Sequence, residues 1–182
     1  MPARTPLLDA SAIAQTLERM AGEIVDLAGG NGALLLVGIQ RRGVELAERL
    51  AALIESRTGH PVGRGKLDIT LYRDDLQAIG PRPVVGETVL PPTLDGRTIV
   101  IVDDVLYTGR TIRAALDEFA DFGRPRRILL AVLVDRGGRE LPIQADVAGL
   151  RTTIAPGDRV DVSVVELDGH DGVVVSAGGT ET

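Results

Sequence analysis

Apolar residues recur along the chain with two different periods. Where they lie three and four residues apart, the pattern predicts amphipathic helices, and where they form short continuous runs, it predicts buried strands. The predicted helices span 9–28, 43–57 and 111–122, and the predicted buried strands span 33–39, 98–103 and 128–134. Strands and helices therefore alternate. This order favours an α/β fold with a mostly parallel central sheet covered by helices on both faces.

Four further segments have weaker patterns. Residues 67–72 alternate like a strand, and residues 160–165 are expected to form a last strand. Residues 73–92 are rich in Pro and have no clear period, so we expect a long flexible loop, with a β-excursion as the alternative. Residues 176–182 are small and polar and are expected to be a disordered tail. A single domain over 1–175 is the resulting prediction.

The composition narrows the class of protein. Hydrophobic residues make up 44% of the chain and aromatic residues only 2%, so the core must be aliphatic. The absence of Cys excludes disulfides and thiolate metal sites. No signal peptide or membrane-length apolar run is present, which favours a soluble cytoplasmic protein. The net charge of −6 argues against nucleic-acid binding driven by overall charge, although 20 Lys and Arg leave room for a local basic face.

The stretch 102–111, "VDDVLYTGRT", places polar groups at the end of a predicted strand, where open α/β sheets bind ligands. The turn before the next helix would offer backbone N–H groups, the Thr108 hydroxyl and close approach beside Gly109, all of which suit a phosphate. The carboxylates of Asp103 and Asp104 would repel a phosphate, but they accept hydrogen bonds from sugar hydroxyls or hold Mg²⁺. The stretch therefore predicts a site for a ribose that carries a phosphate.

A purely structural interpretation of this stretch is an Asp that caps a helix beside a chance turn. Two other nucleotide sites are not supported. The chain has no Gly-x4-Gly-Lys-Ser/Thr loop, and no Gly-x-Gly-x-x-Gly turn follows a predicted strand.

The same stretch closely resembles the phosphoribosyl pyrophosphate (PRPP) motif of type I phosphoribosyltransferases. "LVGIQRRG" (36–43) is similar to the pyrophosphate loop of that family. "LDITLYRDDL" (67–76) and "LAVLVDRGGRELPIQAD" (130–146) resemble one branch, the PyrR family of pyrimidine operon attenuation regulators that are also uracil phosphoribosyltransferases. The resemblance implies the type I fold with its flexible loop and small hood, and the conversion of uracil and PRPP to UMP and pyrophosphate with Mg²⁺.

The resemblance also implies roles for individual residues. Asp103 and Asp104 would hold the ribose hydroxyls, act in catalysis and bind Mg²⁺ directly or through water. Arg73 would close over the leaving group as a third catalytic residue. The other residue sets are Val105, Leu106, Tyr107, Thr108, Gly109, Arg110 and Thr111 for PRPP, Gln40, Arg41, Arg42 and Gly43 for pyrophosphate, and Asp135 and Arg136 for the base. Purine-specific relatives typically carry Asp where this chain has Tyr107, which favours a pyrimidine.

Each flanking residue also has an alternative without function. Tyr107 could simply pack, Arg110 could point to solvent, and Arg41 and Arg42 could be surface charges. Arg73 could belong to an ordinary solvated loop. An Arg136–Glu140 surface ion pair is a further alternative, and it would contribute little to stability.

Several residues depart from the pattern of RNA-binding relatives. Gly22 and Gly138 stand where those relatives have His, Gln144 stands for Arg, and Arg41-Arg42 stands for Thr-Arg. The stretch 149–155, "GLRTTIA", replaces "GKNVPTS" near the base pocket. These changes would weaken RNA binding and uracil binding. Three hypotheses follow: a uracil phosphoribosyltransferase, a nucleotide-sensing RNA-binding regulator with weak catalysis, and a nucleotide sensor that acts through protein or DNA. Relatives also imply a homo-dimer or a larger homo-oligomer.

Overall fold

The computed structural model describes residues 3–29, 33–70 and 86–178. It contains eight strands and four α-helices within those residues. The strands are β1 (Arg4–Leu8), β2 (Leu34–Ile39), β3 (Gly63–Leu67), β4 (Thr98–Leu106), β5 (Arg127–Asp135), β6 (Val147–Arg151), β7 (Arg159–Ser163) and β8 (Gly172–Ser176). The helices are α1 (Ala10–Ala28), α2 (Arg42–Thr58), α3 (Arg110–Phe119), which continues as a 3₁₀ turn over Ala120–Phe122, and α4 (Val165–Asp168).

The central sheet has the strand order β3-β2-β4-β5-β6, and all its pairs are parallel. Successive residues of β2 and β4 point to opposite faces, so Leu36 and Val100 pack with α1 and α2, whereas Leu35 and Ile99 pack with α3. Burial on both faces explains why these strands have continuous apolar runs. The predicted α/β class and mostly parallel sheet are therefore confirmed.

A second, smaller sheet has the antiparallel order β1-β8-β7. Its inner residues Val162 and Val173 are buried against the α1 and α2 side of the core. The last strand predicted, over 160–165, corresponds largely to β7. The disordered tail was predicted to begin at Ser176, and this first residue of the prediction is wrong. Ser176 ends β8 and pairs with both Arg4 and Arg159. The small hood implied by the resemblance stays a prediction.

Of the strand predicted over 67–72, only Leu67 lies in a strand, residues 68–70 do not, and residues 71–72 lie outside the described residues. The strand beside β2 is β3, whose sequence "GRGKL" ends where the predicted strand begins. Gly is depleted in strands, so this segment has no strand signal of its own, and it is held by its ladder to β2. Residues 71–85, including most of the predicted loop, lie outside the described residues. After them, Val89 forms an antiparallel bridge with Lys66.

Two side chains on the predicted helix faces differ from expectation. Leu116 on α3 is 39% exposed, and Leu27 on α1 is 37% exposed. On α3 the neighbouring carboxyl residue Glu118 is buried instead. The helical period was correct, but the edge of each apolar face depends on which neighbouring element covers it.

Candidate active site

The two carboxylates lie inside β4, which continues to Leu106 rather than ending at Asp103 as predicted. The ladder to β5 extends the strand, because Asp103 pairs with Val132 and Leu106 with Asp135. The Asp103 Oδ1 atom accepts a hydrogen bond from the Asp104 N–H at 2.8 Å. Asp103 is buried and Asp104 is half-buried. Both side chains therefore belong to the carboxyl end of the central strand.

Burial and the adjacent charge make this pair of carboxylates unfavourable when both are ionised. Burial, followed by the charge on Asp104 and a hydrogen bond with it, raises the pKa of Asp103 well above its ordinary value. A ligand that donates hydrogen bonds, or a cation, would relieve this repulsion. The pair is therefore suited to sugar hydroxyls or to Mg²⁺ and unsuited to a phosphate.

The phosphate turn, which we define as residues 107–111, connects β4 to α3. Gly109 is the residue before the helix and has φ of 94°, a conformation that favours Gly. The Thr108 carbonyl accepts hydrogen bonds from the N–H groups of Glu140 and Leu141, at 3.0 and 3.1 Å. Arg110, for which solvent exposure was one prediction, forms an ion pair with Glu140 at 2.8 Å. The segment after β5 thus supports the turn, and the first turn of α3 leaves N–H groups for an anion.

The predicted pyrophosphate loop, residues 40–43, lies beside the carboxylates because two glycines permit close packing. A Cβ on Gly43 would lie 2.5 Å from the Val102 carbonyl oxygen and 3.2 Å from the Asp103 Cα. A Cβ on Gly38 would lie 2.4 Å from the Val44 Cα. The N-terminus of α2 therefore faces the same edge of the sheet as Asp103. The Gln40–Arg41 peptide bond is cis.

The two arginines of this loop differ in their surroundings. Arg41 is exposed. Arg42 donates two hydrogen bonds to the Asp168 carboxylate, at 2.8 and 3.2 Å, which raise the pKa of Arg42. The guanidinium of Arg42 therefore connects the loop to α4 and the small sheet, a contact that the sequence did not predict.

A cavity of about 940 Å³ opens between the carboxyl end of β4, the start of α2 and the small sheet. Its lining includes Arg42 and Asp104 together with Arg159, Asp161 and Ser163 of β7. The space beside the carboxylates is therefore large enough for a small polar ligand.

The predicted base-binding residues, Asp135 at the end of β5 and Arg136 directly after it, are both buried. Arg136 is 5% exposed, and its guanidinium carbon lies 3.8 Å from the centroid of the Tyr107 ring. Its Nη1 donates to the Asp158 carbonyl at 2.8 Å, and its Nε has no partner among the described residues. The alternative of an Arg136–Glu140 surface pair is wrong. Tyr107 packs as one alternative predicted, yet it is also 41% exposed.

Arg139 is a positioning residue that the sequence analysis missed. Its guanidinium donates to the Asp135 carboxylate at 2.6 Å, the Tyr107 carbonyl at 2.9 Å and the Ile143 carbonyl at 2.7 Å. Burial alone would raise the pKa of Asp135, but hydrogen bonds from Arg139 and the Gly137 N–H lower it below its ordinary value. Arg139 follows Asp135 by four residues, and this spacing was the one feature of the sequence that could have indicated the ion pair. Outside a helix, however, a spacing of four does not predict that two side chains meet.

The residues that depart from the RNA-binding pattern lie in different local surroundings. A Cβ on Gly138 would lie 2.4 Å from Tyr107 Cε2, so the ring occupies that space. A Cβ on Gly22 would lie 3.4 Å from the Arg57 guanidinium. Gln144 is exposed. In the changed stretch, a Cβ on Gly149 would lie 2.5 Å from the Leu133 carbonyl oxygen, which indicates tight packing.

The described residues contain neither a clustered metal site nor a membrane-spanning helix. No group of three or more His, Cys, Asp or Glu side chains forms a metal cluster within 3–29, 33–70 and 86–178. Over the same ranges, every helix is too short or too polar to cross a membrane. The predicted catalytic Arg73 lies outside the described residues.

Known proteins match this chain in sequence and in fold. The family model of the phosphoribosyl transferase domain matches residues 4–168. A bifunctional protein PyrR from Pelotomaculum thermopropionicum is 51% identical over 94% of this chain and 95% of its own, and one from Chloroflexus aurantiacus is 54% identical over 94% of each. Hypoxanthine phosphoribosyltransferase of Trypanosoma cruzi has a TM-score of 0.71 at 19% identity, covering 96% of this chain and 97% of its own. These matches confirm the predicted enzyme class, and the chain belongs to the phosphoribosyltransferase family, in the branch of the bifunctional PyrR proteins.

Proposed function

We propose that this chain transfers the phosphoribosyl group of PRPP to uracil, forming UMP and pyrophosphate, and that it regulates the pyrimidine operon by binding leader RNA in a UMP-dependent way. One observation carries the enzymatic part. A pair of carboxylates, one buried and one half-buried, lies at the end of the central strand just before the phosphate turn, and the start of α2 packs against the same strand. The membership of the chain in the phosphoribosyltransferase family supports this assignment.

The three parts of this site match the three parts of PRPP. Asp103 and Asp104 accept hydrogen bonds from the ribose hydroxyls, and the phosphate turn binds the 5′-phosphate at the N-terminus of α3. The pyrophosphate loop, with Arg41 and the N-terminus of α2, binds the leaving group. As the bond from C1 of the ribose to pyrophosphate breaks, its electron pair leaves with pyrophosphate, on which negative charge grows. N1 of uracil bonds to C1, and the N1 proton passes to the departing pyrophosphate or to water. Fixed N–H groups and arginines stabilise that charge, so the chemistry depends on positioning and electrostatics.

The carboxylate pair fits Mg²⁺ in part. Two hard oxygen donors with mutual repulsion suit this cation, but two side chains do not complete its six-fold coordination. PRPP oxygens and water would supply the other positions, with Asp103 and Asp104 as direct or water-mediated ligands. When bound, the cation neutralises charge on the pyrophosphate group.

The base would lie between the phosphate turn and the segment after β5. Tyr107 presents an exposed ring there, backed by the Arg136 guanidinium. Asp135 and Arg136 hold this side of the site, and the Nε–H of Arg136 is a buried donor without a partner in the described chain. A pyrimidine, which offers carbonyl acceptors and needs less space than a purine, fits this arrangement. Arg73 is proposed to cover the leaving group, from the resemblance alone.

Conversion of radiolabelled uracil to UMP with PRPP and Mg²⁺ tests the enzymatic proposal. The double variant Asp103→Asn/Asp104→Asn should lose at least about 100-fold in kcat/KM, because it removes the charges that hold the ribose. Asp117→Asn, an exposed change on α3, is the matched control. Hypoxanthine in place of uracil should give no nucleotide. Near-normal turnover in the double variant, or efficient use of hypoxanthine, would contradict the assignment.

RNA binding is the second proposed function. One observation favours the retention of RNA binding despite the changed residues. The Arg57 guanidinium lies over Gly22, so a cation occupies the place of the His found in relatives. Binding of leader RNA should be tightened by UMP and should fall steeply with salt, by nearly one unit of logarithmic slope for each phosphate contact. Equal binding of leader RNA and a scrambled RNA would instead indicate an enzyme that has lost specific recognition.

Self-association is the third part of the proposal. A groove between α1 and α2 supports contact with a second copy of the chain. Its apolar lining of Ala14, Leu17, Ala52 and Leu53 is bordered by Gln15, Glu18 and Arg49. Light scattering should therefore give a multiple of the 19.2 kDa chain mass. A monomeric mass at micromolar concentration would contradict this proposal.

A further inference from the structure

Glu118 is a buried carboxyl group for which the proposed reaction has no use. The residue is 5% exposed on α3, and its Oε1 accepts a hydrogen bond from the Thr88 hydroxyl at 3.2 Å. Its Oε2 has no hydrogen-bond partner among the described residues. Burial raises the pKa of Glu118 above its ordinary value. The hydrogen bond from Thr88 lowers this pKa in part, whereas the negative charges of Asp68 and Asp121 raise it further. An apolar side chain here would avoid these costs, so the group calls for an explanation.

The Thr88 hydroxyl connects Glu118 to the end of β3. While it donates to Glu118, the same oxygen accepts a hydrogen bond from the Asp68 N–H at 3.0 Å. The Asp68 carboxylate in turn accepts hydrogen bonds from the Thr70 N–H at 2.8 Å and from the Gly86 N–H. This network joins α3, the end of β3 and the segment 86–88, which returns to the sheet.

The same returning segment contacts the pyrophosphate loop. The Gln40 side-chain amide donates to the Glu87 carbonyl at 2.8 Å. The Gln40 N–H also donates to the Leu67 carbonyl at 2.9 Å. Glu87 is the neighbour of Thr88, so one short path of contacts runs from Glu118 to Gln40.

We propose that Glu118 is a positioning residue that, through Thr88 and the Glu87 carbonyl, holds the pyrophosphate loop in its binding conformation and at a set distance from the phosphate turn. Helix α3 has the phosphate turn at its N-terminus and Glu118 near its other end, so it acts as the rigid element between the two anion sites. The inference rests on the proposed function, because it assigns the two ends of PRPP to those two sites.

The ligands themselves separate this role from a merely structural one. PRPP has anionic groups at both ends, pyrophosphate occupies only the loop, and the phosphate of UMP occupies only the turn. Loss of the connection should therefore weaken binding of PRPP and pyrophosphate and leave binding of UMP unchanged.

Calorimetric titration of the full chain with PRPP, pyrophosphate and UMP, each with Mg²⁺, tests the proposal. Thr88→Val removes the bridging hydroxyl, and Glu118→Leu removes the acceptor while keeping an apolar fit. Each should raise Kd for PRPP and for pyrophosphate about tenfold, the effect of one hydrogen bond, and should change Kd for UMP less than twofold. Glu118→Gln keeps an acceptor for Thr88 and should restore most of the affinity. Asp117→Asn, exposed on the same helix, is the control.

Two results would overturn the positioning role. One is an unchanged Kd for PRPP in Thr88→Val and Glu118→Leu. The other is an equal loss for UMP and pyrophosphate, which would indicate general loosening of the fold. A folded wild-type chain that binds neither PRPP nor pyrophosphate would overturn the proposed function as well, so the two failures are distinguishable.

Discussion

Replacement of Gly43 by Ala tests whether the close contact between α2 and β4 builds the site. The added methyl group would lie 2.5 Å from the Val102 carbonyl oxygen, where an ordinary contact begins at 3.4 Å. Neither partner can rotate away, because one is the backbone of a helix and the other is the backbone of the central strand. The N-terminus of α2 must therefore move away from Asp103 by most of an ångström.

Two opposing effects set the size of the change in stability. Ala favours the helix over Gly by about 1 kcal/mol, whereas overpacking costs about 1–3 kcal/mol and sometimes more. The free energy of unfolding should therefore fall by up to about 2 kcal/mol. Activity should suffer more, since a misplacement of about 1 Å in a catalytic arrangement can cost about 100-fold.

Urea unfolding and UMP synthesis measure these two effects on the same protein. Gly22→Ala is the matched control, because its methyl group would meet only the Arg57 guanidinium at 3.4 Å, the end of a flexible side chain. That variant should gain about 0.5–1 kcal/mol from helix propensity and keep its activity. If Gly43→Ala also retains more than half of the wild-type kcat/KM, the N-terminus of α2 does not act as the pyrophosphate site.

Three further predictions concern the carboxylates and the base side. The pKa of Asp103 is raised in the folded state, so its ionisation lowers the free energy of unfolding as the pH rises above about 4. Asp103→Asn should therefore stabilise the protein at about pH 7, as measured by urea unfolding. Below about pH 4 the variant should show no gain in stability. Arg139→Met leaves the buried Asp135 carboxylate without its ion pair and should lower the free energy of unfolding by about 3–5 kcal/mol at neutral pH in the same assay. Gly138→Ala would strain the backbone at a φ of 82° and displace the Tyr107 ring, and it should raise KM for uracil more than KM for PRPP.

The elements that sequence patterns predicted well are those with continuous apolar runs or helical spacing. Strands β2, β4 and β5 are buried on both faces, so each contains a continuous run without polar side chains, over 34–39, 99–102 and 128–134. Strands β1, β3, β6 and β8 were missed. Three of them lie at sheet edges, β8 lies in the middle of the small sheet, and each has five residues, so their hydrogen bonds to neighbouring strands define them more than their own residues do.

The sequence by itself determined the carboxylate pair and the phosphate turn, because residues 103–111 are contiguous and a strand, a turn and a helix start can be recognised from local chemistry. Only the tertiary structure decided what surrounds them. It brings Arg42 to Asp168, and Glu118 to Thr88, across 126 and 30 residues of chain. Such contacts depend on how separate elements pack, and no local pattern encodes a pairing over that distance. The groups that would bind the sugar and phosphate therefore come from one contiguous segment of the sequence, whereas the geometry that would position them depends on the whole fold.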